Sequence, residues 1–404
     1  MNKKLKVIVT TSTFKTNESS NSPDFINQLL DNIVDQKKDI DFLILKPMNE
    51  NESKFYENEN YKVKSYRYFY PSRFQNLSSY GLKPSLQKNR LNLVKIFLLC
   101  TSQFFSLLLT SLKFKPDFIY CHWFFPQAVI AFLVSRITKV KYFYTSHGSD
   151  VLIFNNFGPL GKLVIRKVTN ASEKYTGVSS RILNEINKNF EQVDLDKSKF
   201  KAIPMGISNE LSLGREPFKI SKDKLNFLFI GRLIDYKGID VLLKALAEYK
   251  KENNNFELNI LGEGIEKNNL QKLSKNLDLN DKVNFLGFKN FEDRNEFIKD
   301  CDLFFVPSKE NKREIEGGPL TLIEAMSFGK ICIVSNSIGF QDYCNPANSF
   351  SFESGSSDSL LNAIRLFEKQ SVEQLKNMSS EAMKVSAKFK YSNIAKEHID
   401  FLFN

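Results

Sequence analysis

Residues 316–324 read E-G-G-P-L-T-L-I-E, two glutamates with seven residues between them and a Gly-Gly-Pro turn after the first. Glycine lets backbone come close to a ligand and present its N–H groups. The apolar run 320–323, continued by Ala325-Met326, predicts the start of a buried helix with Glu324 in its first turn. One carboxylate on a loop and one on a helix suit a polyhydroxylated ligand, because each accepts two hydroxyl hydrogen bonds. The open amides of a helix start suit a phosphate. A sugar nucleotide combines both features; an acid-capped surface helix fits the same letters equally well.

Outward from this stretch, strand and helix patterns alternate in both directions. Strands are expected at 5–10, 41–45, 117–122, 141–147 and 174–179, and again at 226–231, 257–262, 283–287, 303–307 and 331–335. Helical patterns fit 127–136 and 180–189, then 238–251, 266–277, 291–299, 320–328 and 357–370. Such alternation specifies an α/β protein with parallel sheets covered by helices on both faces. A chain of 404 residues exceeds one ordinary core, so two doubly wound domains are expected. The first takes residues 1–206 and the second 207–385, with a helix at about 386–404 packing back on the first. The stretch G-I-S-N-E-L-S-L-G-R-E-P-F-K, near 206–224, reads as the linker.

Composition is globular, with 42% apolar and 25% charged residues, and it narrows the function classes. The five cysteines are odd in number and scattered without a C-x-x-C pair, which argues against a disulfide framework or zinc site and for a reducing compartment. The opening M-N-K-K-L-K-V-I-V-T-T-S reads as a first strand rather than a signal peptide. The net charge of +11 is uneven: residues 1–220 hold 32 Lys/Arg against 19 Asp/Glu, and the remainder 25 against 27. Residues 60–116 contain no acid. They carry Lys62, Lys64, Arg67, Arg73, Lys83, Lys88, Arg90, Lys95, Lys113 and Lys115, interleaved with Tyr61, Tyr66, Tyr68, Phe69, Tyr70, Phe74 and Tyr80. An apolar segment follows at 96–112. Basic-aromatic sequence beside an apolar helix predicts docking on an anionic membrane surface through residues 61–115. A span is not expected, because six of the 17 residues in 96–112 are Ser, Thr or Gln. No nucleic-acid module signature accompanies the basic bias, so no nucleic-acid partner is expected.

Several polar residues follow predicted strands, where open α/β sheets bind ligands. Gly231-Arg232-Leu233 leads to Lys237-Gly238 at a helix start, and Arg232 with Lys237 suits a diphosphate. Gly262-Glu263-Gly264 and the stretch ending at Phe288 follow the next two strands. His122 and His147 end neighbouring strands, and Ser149 and Asp150 are expected to start a helix after the second. His398, in a C-terminal helix, reads as structural. The chain lacks a D-x-D in strand context, a spaced metal-ligand set, a nucleophile elbow, a P-loop and an early G-x-G-x-x-G. No metal and no cofactor are therefore expected, and most hydrolase, kinase and dehydrogenase readings fall away.

Taken together, G-R-L-I-D-Y-K-G (231–238), L-G-E-G, V-N-F-L-G, V-P-S-K-E (306–310) and E-G-G-P-L-T-L-I-E-A-M-S-F-G-K (316–330) resemble the retaining glycosyltransferases of GT-B architecture, the group 1 or family-four type. C-H-W (121–123), T-S-H-G-S-D-V (145–151) and I-P-M-G-I (203–207) support the resemblance in the first half. It implies two Rossmann-like domains facing across a cleft, with a nucleotide-sugar donor held mostly by the second. It implies Glu316 and His147 as catalytic residues. Arg232 and Lys237 would neutralise the donor diphosphate, and Glu324 would bind the ribose. Gly317, Gly318, Pro319, Leu320, Gly231, Gly262, Glu263 and Phe288 would complete the donor site, and His122, Asp150 and Ser12 would lie on the acceptor side. The family is retaining and needs no catalytic metal. Two departures stand out. The loop after the first strand has no Gly-Gly pair, and Met205 and Ser208 stand where asparagine and aspartate are usual.

The expected protein is a cytoplasmic, membrane-peripheral enzyme on the inner face of the membrane. It would move a hexose from a UDP- or GDP-sugar to a hydroxyl of a lipid-linked surface glycan. The alternatives are another GT-B enzyme, such as a sugar-nucleotide epimerase or a sugar-phosphate-using synthase, and a non-catalytic scaffold of the same fold.

Overall fold

The structure is a computed structural model. It describes residues 4–16, 24–48, 52–71, 75, 77, 92–148, 150–190, 196–212, 224–310, 314, 316–337, 339 and 343–404. Of the residues singled out above, Arg73, Phe74, Tyr80, Lys83, Lys88, Arg90 and Ser149 lie outside the described residues, as does 213–223 of the expected linker. The chain divides into two compact units, Met1–Pro204 with Tyr391–Asn404, and Met205–Lys390.

The first unit runs β1 (Leu5–Thr10), α1 (Phe25–Gln36), β2 (Ile40–Pro47), β3 (Phe55–Glu57), β4 (Tyr61–Tyr66), α2 (Asn92–Phe114), β5 (Phe118–His122), α3 (Val129–Thr138), β6 (Lys141–Ser146), α4 (Gly158–Ala171), β7 (Tyr175–Gly177), α5 (Ser180–Asn187) and β8 (Phe200–Ala202). Its sheet has the order β3-β4-β2-β1-β5-β6-β7-β8, parallel except for β3 against β4. The last four residues of β1 are all buried, as a central parallel strand requires. Strand order reverses between β1 and β5, so the loops after Thr10 and His122 flank the place where a doubly wound sheet opens a crevice.

The second unit runs β9 (Leu225–Ile230), α6 (Ile239–Glu252), β10 (Phe256–Leu261), α7 (Lys267–Asn276), β11 (Val283–Gly287), α8 (Phe291–Asp300), β12 (Leu303–Val306), α9 (Leu320–Ser327), β13 (Ile331–Ser335), β14 (Phe350–Phe352), α10 (Ser357–Glu368) and α11 (Val372–Ala387). Its sheet is parallel throughout in the order β11-β10-β9-β12-β13-β14, with the reversal between β9 and β12. Helix starts follow local chemistry. Ser356 Oγ accepts from the Ser359 N–H, and Ser371 with Gln374 forms a capping box. The chain then returns to the first unit through α12 (Tyr391–His398), which packs on α1.

Three sequence expectations change. Residues 206–212 are not free linker, because Ile207 and Leu211 are buried in the second unit's core and the Ile207 N–H bonds to Phe389 O at 2.8 Å. The division therefore falls at 204/205 and 390/391. Residues 61–66 form a strand, which buries Tyr61 and Tyr66, and Tyr68 is buried beyond it; these aromatics belong to a core rather than a docking face. Asp150 starts no α-helix, since a turn and the 3-10 stretch Leu152–Phe157 follow it.

Candidate functional site

In the second unit, glycines decide how the loops after the strands meet. Gly238 ends a 3-10 turn, Asp235–Lys237, at φ +69°, and a Cβ there would come within 1.8 Å of Pro307 O. Only glycine both adopts that φ readily and leaves that space. The close approach joins the loop after β9 to the loop after β12, and the Lys309 N–H bonds to Tyr236 O at 2.7 Å across the junction. Lys309 Nζ adds ion pairs to Asp235 (2.7 Å) and Asp240 (3.1 Å). Gly262, at φ +141°, lies where a Cβ would meet Gly231 O at 1.9 Å, so the loops after β9 and β10 are equally close.

This junction brings Lys237 onto Glu316. Glu316 is buried and Lys237 largely so, and Ser308 Oγ donates to the same Glu316 oxygen that Lys237 pairs with, Oε2, at 3.1 Å. Burial works against the Lys237 ammonium, but the Glu316 carboxylate and Tyr236 outweigh it and hold its pKa above the ordinary value. Oε1 of Glu316 takes part in neither contact. Lys237 is thus a partner of Glu316. Arg232 is exposed, with Nη2 donating to Tyr236 Oη at 3.3 Å.

The second glutamate sits differently from its sequence expectation. Helix α9 begins at Leu320 with Pro319 as N-cap, so Glu324 is its fifth residue, beyond the first turn and largely buried. Its charge is met by Arg294 Nη2 at 2.9 Å rather than by the helix end. Arg294 also lies over the Phe291 ring, 5.2 Å from its centroid. Gly317 and Gly318 have ordinary negative φ, and Gly317 packs its carbonyl where a Cβ on Gly339 would come within 2.1 Å. Glu263 is exposed and paired with Lys267 at 2.7 Å, and Phe288 is 67% exposed. Sequence reasoning missed Arg294, which no local pattern marks, and Ser308, which stood unremarked inside V-P-S-K-E.

In the first unit all three histidines belong to one buried chain of contacts. His122 Nδ1 and His147 Nε2 lie 3.0 Å apart, so one donates and the other accepts. Tyr120 lies tilted against His122, with ring centroids 4.4 Å apart, and its Oη lies 3.4 Å from His398 Nδ1 and 2.9 Å from Thr145 Oγ1. Phe25 and Trp123 enclose His147. Burial lowers His147 and His398 to a pKa of about 3 and holds His122 well below the usual imidazole range. His398, read from sequence as merely structural, is the inner end of the group that contains both candidate histidines. Asp150 is buried and raised by that burial, and it already accepts from Phe124 N (2.6 Å), Ser146 Oγ (2.7 Å) and Gly148 N (3.1 Å). It ties the loops after β5 and β6 together. Ser12 Oγ accepts from Gln127 Nε2 at 2.7 Å, which bridges the loops after β1 and β5.

Comparison with known proteins gives a consistent likeness. Residues 214–385 match the family profile described as glycosyl transferases group 1, and residues 107–177 match one described as glycosyl transferase 4-like. An uncharacterised glycosyltransferase of Methanocaldococcus jannaschii, MJ1178, is 25% identical over 228 residues, covering 54% of this chain and 56% of the relative. The amylovoran biosynthesis glycosyltransferase AmsK of Erwinia amylovora is 30% identical over 154 residues, 35% of this chain and 38% of the relative. The matches thus span about half the length of these curated relatives or less. Among solved structures, Anabaena Alr3699/HepE in complex with UDP and glucose aligns over 99% of both chains with a TM-score of 0.68 and 17% identity, a likeness of fold.

Proposed function

We propose that the chain, whose residues 214–385 match the glycosyl transferases group 1 profile, is a glycosyltransferase of that family, moving a hexose from a UDP- or GDP-sugar to a hydroxyl of a lipid-linked surface glycan, with retention and without a metal. The observation that carries this reading is the Glu316 clamp, a buried carboxylate held on one oxygen by Lys237 and Ser308 beside the reversal of the second sheet. AmsK is named for amylovoran biosynthesis and HepE was solved with UDP and glucose, which supports a glycan product and a nucleotide-sugar donor. With this reading goes a cytoplasmic site on the inner face of a membrane, where a lipid-linked acceptor is within reach.

The chemistry follows from charge. As the glycosidic bond to the diphosphate breaks, negative charge gathers on the leaving group and positive charge on the sugar ring. The exposed Arg232 guanidinium, which donates to Tyr236 Oη, and the amides at the start of α9 stabilise the leaving group. Glu316 Oε1, left over by the Lys237–Ser308 clamp, stabilises the ring, while the acceptor hydroxyl attacks from the face that the diphosphate leaves and passes its proton to the departing diphosphate oxygen. Glu324, oriented by Arg294, takes the ribose hydroxyls. His147 is the proposed sugar contact of the first unit, in a neutral tautomer set by His122.

Calorimetry with UDP, GDP and ADP on the wild type and on Arg232→Ala tests the donor site. One nucleotide should bind, and Arg232→Ala should weaken it roughly tenfold to a hundredfold, the usual loss for a hydrogen bond to a charged group. A folded protein that binds none of the three is a scaffold, not a transferase. Label from the sugar nucleotide should appear in a glycan; label found only in an interconverted free donor indicates an epimerase.

A further inference from the structure

Nineteen large apolar side chains are exposed among the described residues, and eleven of them lie on α2, α3 and α4 with the adjoining Phe157. These helices are neighbours: α2 packs on α3, and α3 on α4. They connect β4 to β5, β5 to β6 and β6 to β7, all in one direction along the sheet, so right-handed crossovers put all three on one face.

The polarity of α2 is inverted relative to an ordinary surface helix. Gln103 and Thr110 are buried, with Gln103 Nε2 donating to Thr10 Oγ1 at 3.1 Å and Lys64 Nζ to Thr110 Oγ1 at 2.8 Å. Val94, Phe97, Phe105, Leu109 and Leu112 face outward. Leu133 and Ile137 extend this stripe across α3, and Phe157, Leu160 and Leu163 extend it along the N-terminal half of α4. Water gains nothing from such a surface, and contiguous exposed apolar faces mark sites of association.

Charge identifies the occupant. The three helices carry Lys95, Lys113, Arg136, Lys162, Arg166 and Lys167 and not one Asp or Glu. A second copy of this chain on a twofold axis would set the same cations against themselves. An anionic bilayer complements both features, because apolar side chains enter the acyl boundary while lysines and arginines stay among the headgroups. We propose that the α2–α3–α4 face docks this unit on an anionic lipid membrane, lying in the interface. Helix α2 does not cross the bilayer, although its 23 residues are long and apolar enough. It is the crossover between two strands of one sheet and buries Leu99 and Leu107. The surface differs from the one expected from sequence, losing Tyr61, Tyr66 and Tyr68 to the core and gaining α3 and α4. It assumes nothing about catalysis.

The test is flotation of the full chain with vesicles of phosphatidylcholine, alone or with about a third phosphatidylglycerol. The wild type should float with the anionic vesicles, and less so as salt rises. Phe97→Gln/Leu160→Gln, at positions 69% and 64% exposed, should retain its circular dichroism and melting point but lose binding at least about tenfold. Lys162→Gln/Lys167→Gln should lose the preference for anionic over neutral vesicles. A wild type that stays with the soluble fraction overturns the proposal, as does an apolar variant that floats unchanged. A wild-type dimer that the apolar variant converts to monomer also overturns it, by giving the face to a second copy.

Discussion

His398 shows how a residue's surroundings set its chemistry. It is fully buried beside Tyr120, and with His122 it is kept neutral in the folded chain. Two neutral imidazoles share one hydrogen between His122 and His147, whereas two imidazolium ions would face hydrogen against hydrogen. The folded pKa values lie below the unfolded value, so between them the unfolded chain binds more protons. Stability contributed by these groups is therefore complete above about pH 6.5 and is lost as pH falls towards 3, by about 1.4 kcal/mol per pH unit for each buried histidine. Asp150, raised by burial, has the opposite sign, and its window lies at the acid end, above the ordinary carboxylate value. The melting point of the first unit should fall between pH 7 and pH 5, and His398→Gln should have a visibly shallower slope. A flat profile in the wild type, or an unchanged slope in the variant, contradicts the assignment.

At the scale of elements, loops rather than helices or strands place the candidate site, and glycines place the loops. Gly158 and Gly238 separate the two costs of replacing glycine. Both have positive φ, +54° and +69°, but nothing lies within 4 Å of a Cβ at Gly158, whereas Pro307 O is 1.8 Å away at Gly238. Gly158→Ala should cost only the backbone strain, about 1 kcal/mol. Gly238→Ala must also part the loops after β9 and β12, costing roughly 3 kcal/mol or more, and it should weaken nucleotide binding by moving Lys237 off Glu316. Urea midpoints of the two variants, with calorimetry on each, check this; equal midpoints would remove the steric argument. Strands β9 to β13 and the helices α6 to α10 were legible because period-two and helical patterns survive any tertiary context; the three-residue β14 was too short to show a pattern. Strand β4 was not, because its lysines and tyrosines read as a basic patch until packing buried Tyr61 against Phe14 and against Asn27 of α1, and Tyr66 on the other face beside Cys100 of α2.

At the scale of the molecule, the first unit is discontinuous and depends on the last residues of the chain. Tyr391, Ile394, Ala395, Ile399 and Leu402 are buried, and the Phe403 ring meets Phe143 and Tyr120 at 5.4 and 6.0 Å. A buried large apolar side chain contributes about 1.5–3 kcal/mol, so removing 391–404 takes away an amount comparable to a domain's whole stability of about 5–15 kcal/mol. A chain ending at Lys390 should lose the thermal transition of the first unit and keep that of the second, with its nucleotide binding. Scanning calorimetry decides the matter, since two intact transitions in the truncated chain would show that α12 is dispensable.

The sequence by itself determined the α/β class, the two-unit organisation and the identity of the charged residues near the second sheet's reversal, because strand period, helix period and the order of motifs are local properties. It also marked Arg232 and Lys237 by their place after a strand, and Glu316 and Glu324 by the stretch E-G-G-P-L-T-L-I-E. Only the tertiary structure decided that Lys237 serves Glu316, that Arg294 serves Glu324, and that the three histidines form one group. It alone showed that α2 turns its polar side inward. Each of these is a pairing between residues far apart in the chain. A partner's distance in space leaves no trace in the spacing of letters, and burial, which fixes charge state and helix polarity alike, is a property of the packed chain.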